Sequence, residues 1–84
     1  SEGLFIYPQL LKNVKVNDKT RALNDKALKE VVDDVAKELG DEGRILVRPS
    51  GTEPLIRVMV EAKTDDLCAQ YVDRVVEFVE KNNY

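Results

Sequence analysis

Arg48-Pro49-Ser50-Gly51-Thr52-Glu53-Pro54 is the stretch whose residue types and spacing could do chemistry. The chemistry is capture of an anion. Arg48 offers a planar fork of N–H donors that matches two oxygens of a phosphate or carboxylate. Ser50 and Thr52 add hydroxyls, and Gly51 lets the backbone adopt conformations, and approach a ligand, that a Cβ would prevent. Successive backbone N–H groups in such a bend can form a concavity for a phosphate oxygen. The two prolines restrict where the bend begins and ends. Arg57 adds a second guanidinium. If Arg48 and Leu55 face each other across the loop, Arg57 lies on the same sheet face one diagonal step away, ~7–8 Å, near enough for both to converge on one phosphate. A Ser-Gly-Thr loop between strands is also commonly a plain turn, and a strand arginine a solvated side chain. The glycine spacing and Lys-Ser/Thr ending of a Walker phosphate loop are absent.

The elements that must hold this loop follow from periodicity. Leu10 to Val16 reads as a strand, with Val14 and Val16 on one face and Asn13 and Lys15 on the other. Asn17 to Leu23 is polar and reads as a loop. Asn24 is the expected N-cap of a helix, with Leu23 and Leu28 placed as a hydrophobic staple. Leu28, Val31, Val32, Val35 and Leu39 form that helix's apolar stripe, and Gly40 its left-handed end. Arg44 to Arg48 and Leu55 to Ala62 are strands that flank the loop, with Ile45, Val47, Ile56, Val58 and Val60 turned to the core. Thr64 caps a second helix whose first turn carries Asp65 and Asp66, the sign that suits a helix N-terminus. Cys68, Val72, Val75, Val76 and Val79 are its buried stripe. The order strand, helix, strand, strand, helix predicts an α+β fold: a small, mainly antiparallel sheet with two helices on one face. Both arginines then fall on the open face.

Composition narrows the function. The chain has 84 residues, enough for one domain, with 43% hydrophobic and 35% charged residues, a globular profile. A net charge of −3 argues against a nucleic-acid module held by bulk positive charge. No apolar run approaches the ~18–20 residues of a membrane span. With no His and one Cys, there is no zinc ligand set, disulfide framework or His-based triad. Cys68 reads as a buried structural residue, and a lone Cys is compatible with a reducing cytoplasm. Asp33-Asp34 and Asp65-Asp66 read as solvated or dipole-compensating, since neighbouring helix residues point different ways. Tyr7, Tyr71 and Tyr84 provide no stacking platform, as none falls on the central strands. The chain opens at Ser1 with Met59 its only methionine, and Gly3 to Pro8 is short and apolar. Residues 1–9 therefore read as the cut end of a preceding element, and 10–84 as the domain.

The heptad Arg48 to Pro54, followed by Leu55-Ile56-Arg57-Val58-Met59-Val60-Glu61, resembles the phosphate-binding loop in the C-terminal domain of the α-D-phosphohexomutases. Tyr7-Pro8-Gln9-Leu10-Leu11-Lys12-Asn13-Val14-Lys15-Val16 is similar to the opening of that domain in the phosphoglucosamine mutase branch. The resemblance implies a TATA-box-binding-protein-like C-terminal domain of a four-domain bacterial enzyme. That enzyme interconverts glucosamine 6-phosphate and glucosamine 1-phosphate on the route to UDP-N-acetylglucosamine, a peptidoglycan precursor. It further implies a donor phosphoserine, an aspartate-bound Mg²⁺ and sugar-recognition elements in the other domains, none of whose motifs occur here. The phosphate-contacting positions it implies are Arg48, Ser50, Gly51, Thr52 and Arg57, with Glu53 bracing the loop. The expected partners are a phosphosugar and the rest of the parent enzyme, with no cofactor bound by this piece and no mutase activity by itself. The alternatives are another phosphohexomutase, acting on glucose or mannose phosphates, or a stand-alone module that binds an anion or a protein.

Overall fold

A computed structural model describes residues 6–84. The elements are β1 (Gln9–Lys15), α1 (Lys19–Asn24), α2 (Lys26–Leu39), a 3-10 turn (Gly40–Glu42), β2 (Arg44–Pro49), β3 (Leu55–Glu61) and α3 (Asp65–Lys81).

Alternation along β3 makes it the middle of the sheet. Ile56, Val58 and Val60 are fully buried, while Arg57 between them is exposed. Among the described residues three strands form one sheet in the order β1-β3-β2, with both pairings antiparallel. One face carries Leu10, Val60 and Ile45 in one row and Val14 and Ile56 in another, and onto it α2 and α3 bring Leu28, Val35, Leu39, Cys68, Val72, Val75 and Val79. Burying each such aliphatic side chain is worth about 1.5–3 kcal/mol. The fold is α+β, as the alternation and helical stripes predict.

The segment Asn17 to Leu23 is not a loop. Residues 19–24 form α1, started by the Asp18 carboxylate, which accepts the Arg21 N–H at 3.0 Å. One turn of helix carries too few apolar positions to show a period; only Ala22 is buried. The cap of α2 is Asp25 rather than Asn24: one Asp25 oxygen accepts the Ala27 N–H and the other accepts the Tyr84 hydroxyl. Two adjacent good cap residues leave the choice to a contact from the far end of the chain. With the cap moved by one, Leu23 and Leu28 no longer occupy staple positions, although Leu28 is in the core and Leu23 packs against it.

Other caps fall where expected. Thr64 accepts the Leu67 N–H, and Gly40 closes α2 with φ +57°. Cys68 is buried, and its thiol donates to the Pro8 carbonyl at 3.3 Å. Tyr84 is buried too, and its carbonyl accepts the N–H groups of Asn17 and Asp18. Half of the apolar opening, Gly3, Leu4 and Phe5, lies outside the described residues; of the rest, Ile6 is exposed, Tyr7 and Pro8 are half-buried, and β1 begins at Gln9.

Candidate anion-binding site

The loop is tighter than the sequence suggests. Pro49 continues β2 and pairs with Ile56, and the Ser50 N–H donates to the Leu55 carbonyl at 3.0 Å. The bend is thereby confined to residues 51–54. A proline is tolerated there because β2 is an edge strand, with no partner beyond it among the described residues. The consequence is a correction to the register. Arg48 stands directly opposite Arg57, not diagonal to it. A direct pair places its Cβ atoms ~5 Å apart.

Ser50 is 4% exposed, and its hydroxyl accepts the Glu53 N–H at 3.2 Å. The Glu53 carbonyl in turn accepts the Leu55 N–H at 2.8 Å. Glu53 thus braces the bend through its backbone, with its side chain exposed to solvent. Val16 fastens the far shoulder by donating its N–H to the Pro54 carbonyl. Gly51 does not need to be glycine for conformation: its φ is outside the left-handed region, and a Cβ built on it meets nothing within 4 Å. What remains of the argument for Gly51 is close approach by a ligand.

Donors collect around this bend. Gly51 and Thr52 are exposed, and their N–H groups have no acceptor among the described residues. The open sheet face carries three arginines. Arg44 is matched to a carboxylate, Glu61 at 3.4 Å, which Gln9 also engages at 2.8 Å. Arg48 and Arg57 have no ion-pair partner among the described residues. The remaining neighbour in their row is neutral Asn13. Like charges directly opposite on adjacent strands repel, and a dianion between them turns that repulsion into attraction. All five residues singled out in the sequence lie in or beside the bend. Arg48, Gly51, Thr52 and Arg57 are exposed there, whereas Ser50 is turned inward to hold it.

The shifted titrations lie elsewhere. The Arg74 guanidinium, at 2.7 Å, holds Glu38 below the usual carboxylate range, and Glu42 raises Lys63. Among the described residues no three His, Cys, Asp or Glu side chains gather as a metal-ion site.

Residues 11–78 match the family described as "Phosphoglucomutase/phosphomannomutase, C-terminal domain". The chain belongs to that family. Phosphoglucosamine mutases are among its curated relatives: that of Oceanobacillus iheyensis is 56% identical over 82 residues, covering 98% of this chain and 18% of the relative. That of Bacillus subtilis is 58% identical over 73 residues, covering 87% of this chain and 16% of the relative. The chain therefore spans less than a fifth of the length of these relatives. Among solved structures, an N-acetylglucosamine-phosphate mutase of the α-D-phosphohexomutase superfamily, in its product complex, superposes with a TM-score of 0.74 at 28% identity, covering 87% of this chain and 15% of that one. Aspergillus fumigatus N-acetylphosphoglucosamine mutase shares the fold, with a TM-score of 0.78 at 23% identity over 92% of this chain and 16% of that one.

One residue at the phosphohexomutase loop escapes a reading of the sequence. Lys19, from the short helix α1, donates its ammonium to the Ser50 carbonyl at 2.8 Å. A polar residue in a segment without a period gives no sign of such a contact across 31 positions.

Proposed function

We propose that this chain is the substrate-phosphate-binding domain of a phosphoglucosamine mutase. It grips the phosphate that is not being transferred while glucosamine 6-phosphate and glucosamine 1-phosphate interconvert. The observation that carries the reading is the facing pair Arg48 and Arg57, without carboxylate partners among the described residues, beside the free Gly51 and Thr52 N–H groups. Two guanidinium groups and two backbone donors match the oxygens of a phosphate monoester, and the Thr52 hydroxyl adds a further donor. Ser50 fixes the bend, its hydroxyl accepting the Glu53 N–H.

On this reading the domain positions and does not react. Holding one phosphate fixes the sugar's other end against the reacting centre, which lowers the entropic part of the barrier. Phosphoryl transfer itself belongs to a phosphoserine and Mg²⁺ in the parts of the parent enzyme beyond this chain; the metal supplies charge neutralisation for the moving phosphoryl group. Those other domains are the chain's expected partners, in the cytoplasm. The 53–59% identity to phosphoglucosamine mutases supports the amino-sugar phosphate over the glucose or mannose phosphates.

Titrating the chain with glucosamine 6-phosphate at low salt, followed by amide chemical shifts, tests this. Saturable shifts centred on residues 50–52 are expected. Arg48→Lys should weaken binding about tenfold although it keeps the charge, because lysine is a point donor and not a fork. Lys12→Ala should change nothing, since Lys12 is paired with Asp73 on the helix side. Shifts centred elsewhere, or an Arg48→Lys curve that overlays the wild type, overturn the reading.

A further inference from the structure

We propose that Lys19 is a positioning residue for the anion loop, locking the Ser50–Gly51 peptide in the orientation that leaves the Gly51 N–H free as a donor. This rests on the phosphate-binding reading above and adds a residue to it.

The ladder shows why a lock is needed. The Ser50 N–H donates to the Leu55 carbonyl, so regular antiparallel pairing would return a bond from the Leu55 N–H to the Ser50 carbonyl. That bond is not made. The Leu55 N–H goes to Glu53, and the Ser50 carbonyl is taken by the Lys19 ammonium. The Ser50–Gly51 peptide has left the ladder, and Lys19 is the group that now holds it.

The peptide itself supplies the next step. In a trans peptide the carbonyl and the following N–H point in opposite directions. With the Ser50 oxygen drawn to Lys19, the Gly51 N–H points away from Lys19, and it has no acceptor among the described residues. Rotating this peptide by half a turn would exchange the donor for a carbonyl oxygen, which repels an anion. Glycine makes that rotation easy, because Gly51 can enter the positive-φ region without a Cβ penalty and has open space around it. The strut that opposes the flip has a firm base. Lys19 opens α1, whose cap Asp18 is fixed by a backbone bond to the Tyr84 carbonyl at 2.9 Å.

The test compares wild type with Lys19→Met, Lys19→Arg and Lys15→Met. Lys15 stands opposite Leu55 at the edge of the same loop, so its removal subtracts equal charge without touching Ser50. In the ligand-free chain, Lys19→Met should displace the Gly51 and Thr52 amide resonances and alter the Gly51 backbone couplings. Lys15→Met should not. With glucosamine 6-phosphate as probe, Lys19→Met should weaken binding about tenfold. Lys15→Met should weaken it less, and only at low salt, where exposed charge is not screened. Lys19→Arg, which keeps a donor to Ser50, should restore part of the loss. Unmoved Gly51 and Thr52 amides in Lys19→Met, or equal losses from Lys19→Met and Lys15→Met, overturn the proposal. Should Lys19→Met fail to fold, the same amide displacement is required of Lys19→Gln, whose stem is too short to reach. If wild type shows no saturable shift with the probe, the phosphate-binding reading fails, while the ligand-free amides still decide whether Lys19 locks the peptide.

Discussion

Arg48 and Arg57 face each other across adjacent antiparallel strands, on the side of the sheet that carries no helix. Such an arrangement is unfavourable for the fold and favourable for an anion. Arg57→Gln removes the repulsion and no ion pair. Without ligand, urea melts at low salt should therefore show a stability within about 0.5 kcal/mol of wild type, on the stabilising side. The same variant should lose most of the stabilisation that glucosamine 6-phosphate confers on wild type. A loss above about 1 kcal/mol without ligand would make Arg57 a structural residue.

Gly43 and Gly51 separate packing from function. A Cβ on Gly43 would clash with the Glu61 carbonyl oxygen and crowd a Leu39 methyl at 2.9 Å, so Gly43→Ala should cost about 1–3 kcal/mol. Gly51→Ala has open space and should leave the melting curve within about 0.5 kcal/mol of wild type. Its glucosamine 6-phosphate affinity should nevertheless fall, by on the order of tenfold if one backbone donor is screened. Equal affinity in Gly51→Ala would mean that the anion does not approach this backbone.

Tyr84 and Asp25 give the fold a pH signature. Burial, then the bond to Asp25, pushes the Tyr84 phenol up to about 12 from 10.0. Between those values the unfolded chain releases the proton and the folded chain keeps it, so stability falls as pH rises through that window. The Tyr84 bond, then the Ala27 N–H, holds Asp25 below its usual range. That contribution is present above the ordinary carboxylate range and is lost as pH falls through the lowered value. Tyr84→Phe should flatten the alkaline slope and cost about 1 kcal/mol at neutral pH. Thermal melts from about pH 8 to about pH 12, which spans phenol titration, make the comparison. An unchanged alkaline slope would remove the coupling.

Val35 is fully buried at the middle of α2. Val35→Ala should cost on the order of 1–3 kcal/mol in urea melts, through lost burial and an unfilled space. No shift would mean that α2 presents a different face to the sheet.

What the sequence reveals and what it hides divide along the range of the interactions. The helix stripes through Val35 and Val75, the Thr64 cap and the alternation of Ile56, Arg57 and Val58 are local periodic signals, and each predicts its element and its face. The loop heptad spans the end of β2 and the bend between β2 and β3. The register of Arg48 against Arg57 was not legible, because parity fixes the face of a strand but not how far Pro49 extends it. The cap at Asp25, the helix at Lys19 and the hold on Ser50 depend on Tyr84 and on contacts across the chain, for which no spacing rule exists.

The strand order β1-β3-β2 also sets a sequence of events. The β2–β3 pairing closes through the short bend at residues 51–54, whereas β1 reaches β3 only after both intervening helices and β2 have been traversed. Loop-closure entropy favours the near pairing. The bend at residues 51–54 is therefore expected to be the turn of the first hairpin to form, while the Lys19 bond to Ser50 and the Tyr84 bond to Asp25, 59 residues apart, should lock in near the end. In stopped-flow refolding, Val58→Ala at the hairpin should slow folding, and Tyr84→Phe should mainly speed unfolding; the reverse partition would contradict this order. Late locking leaves the bend as the part of the native hairpin most easily loosened without unfolding the sheet, so the hydrogen-bonded Ser50, Glu53 and Leu55 amides should exchange faster than those in the middle of β3, and ligand should slow them.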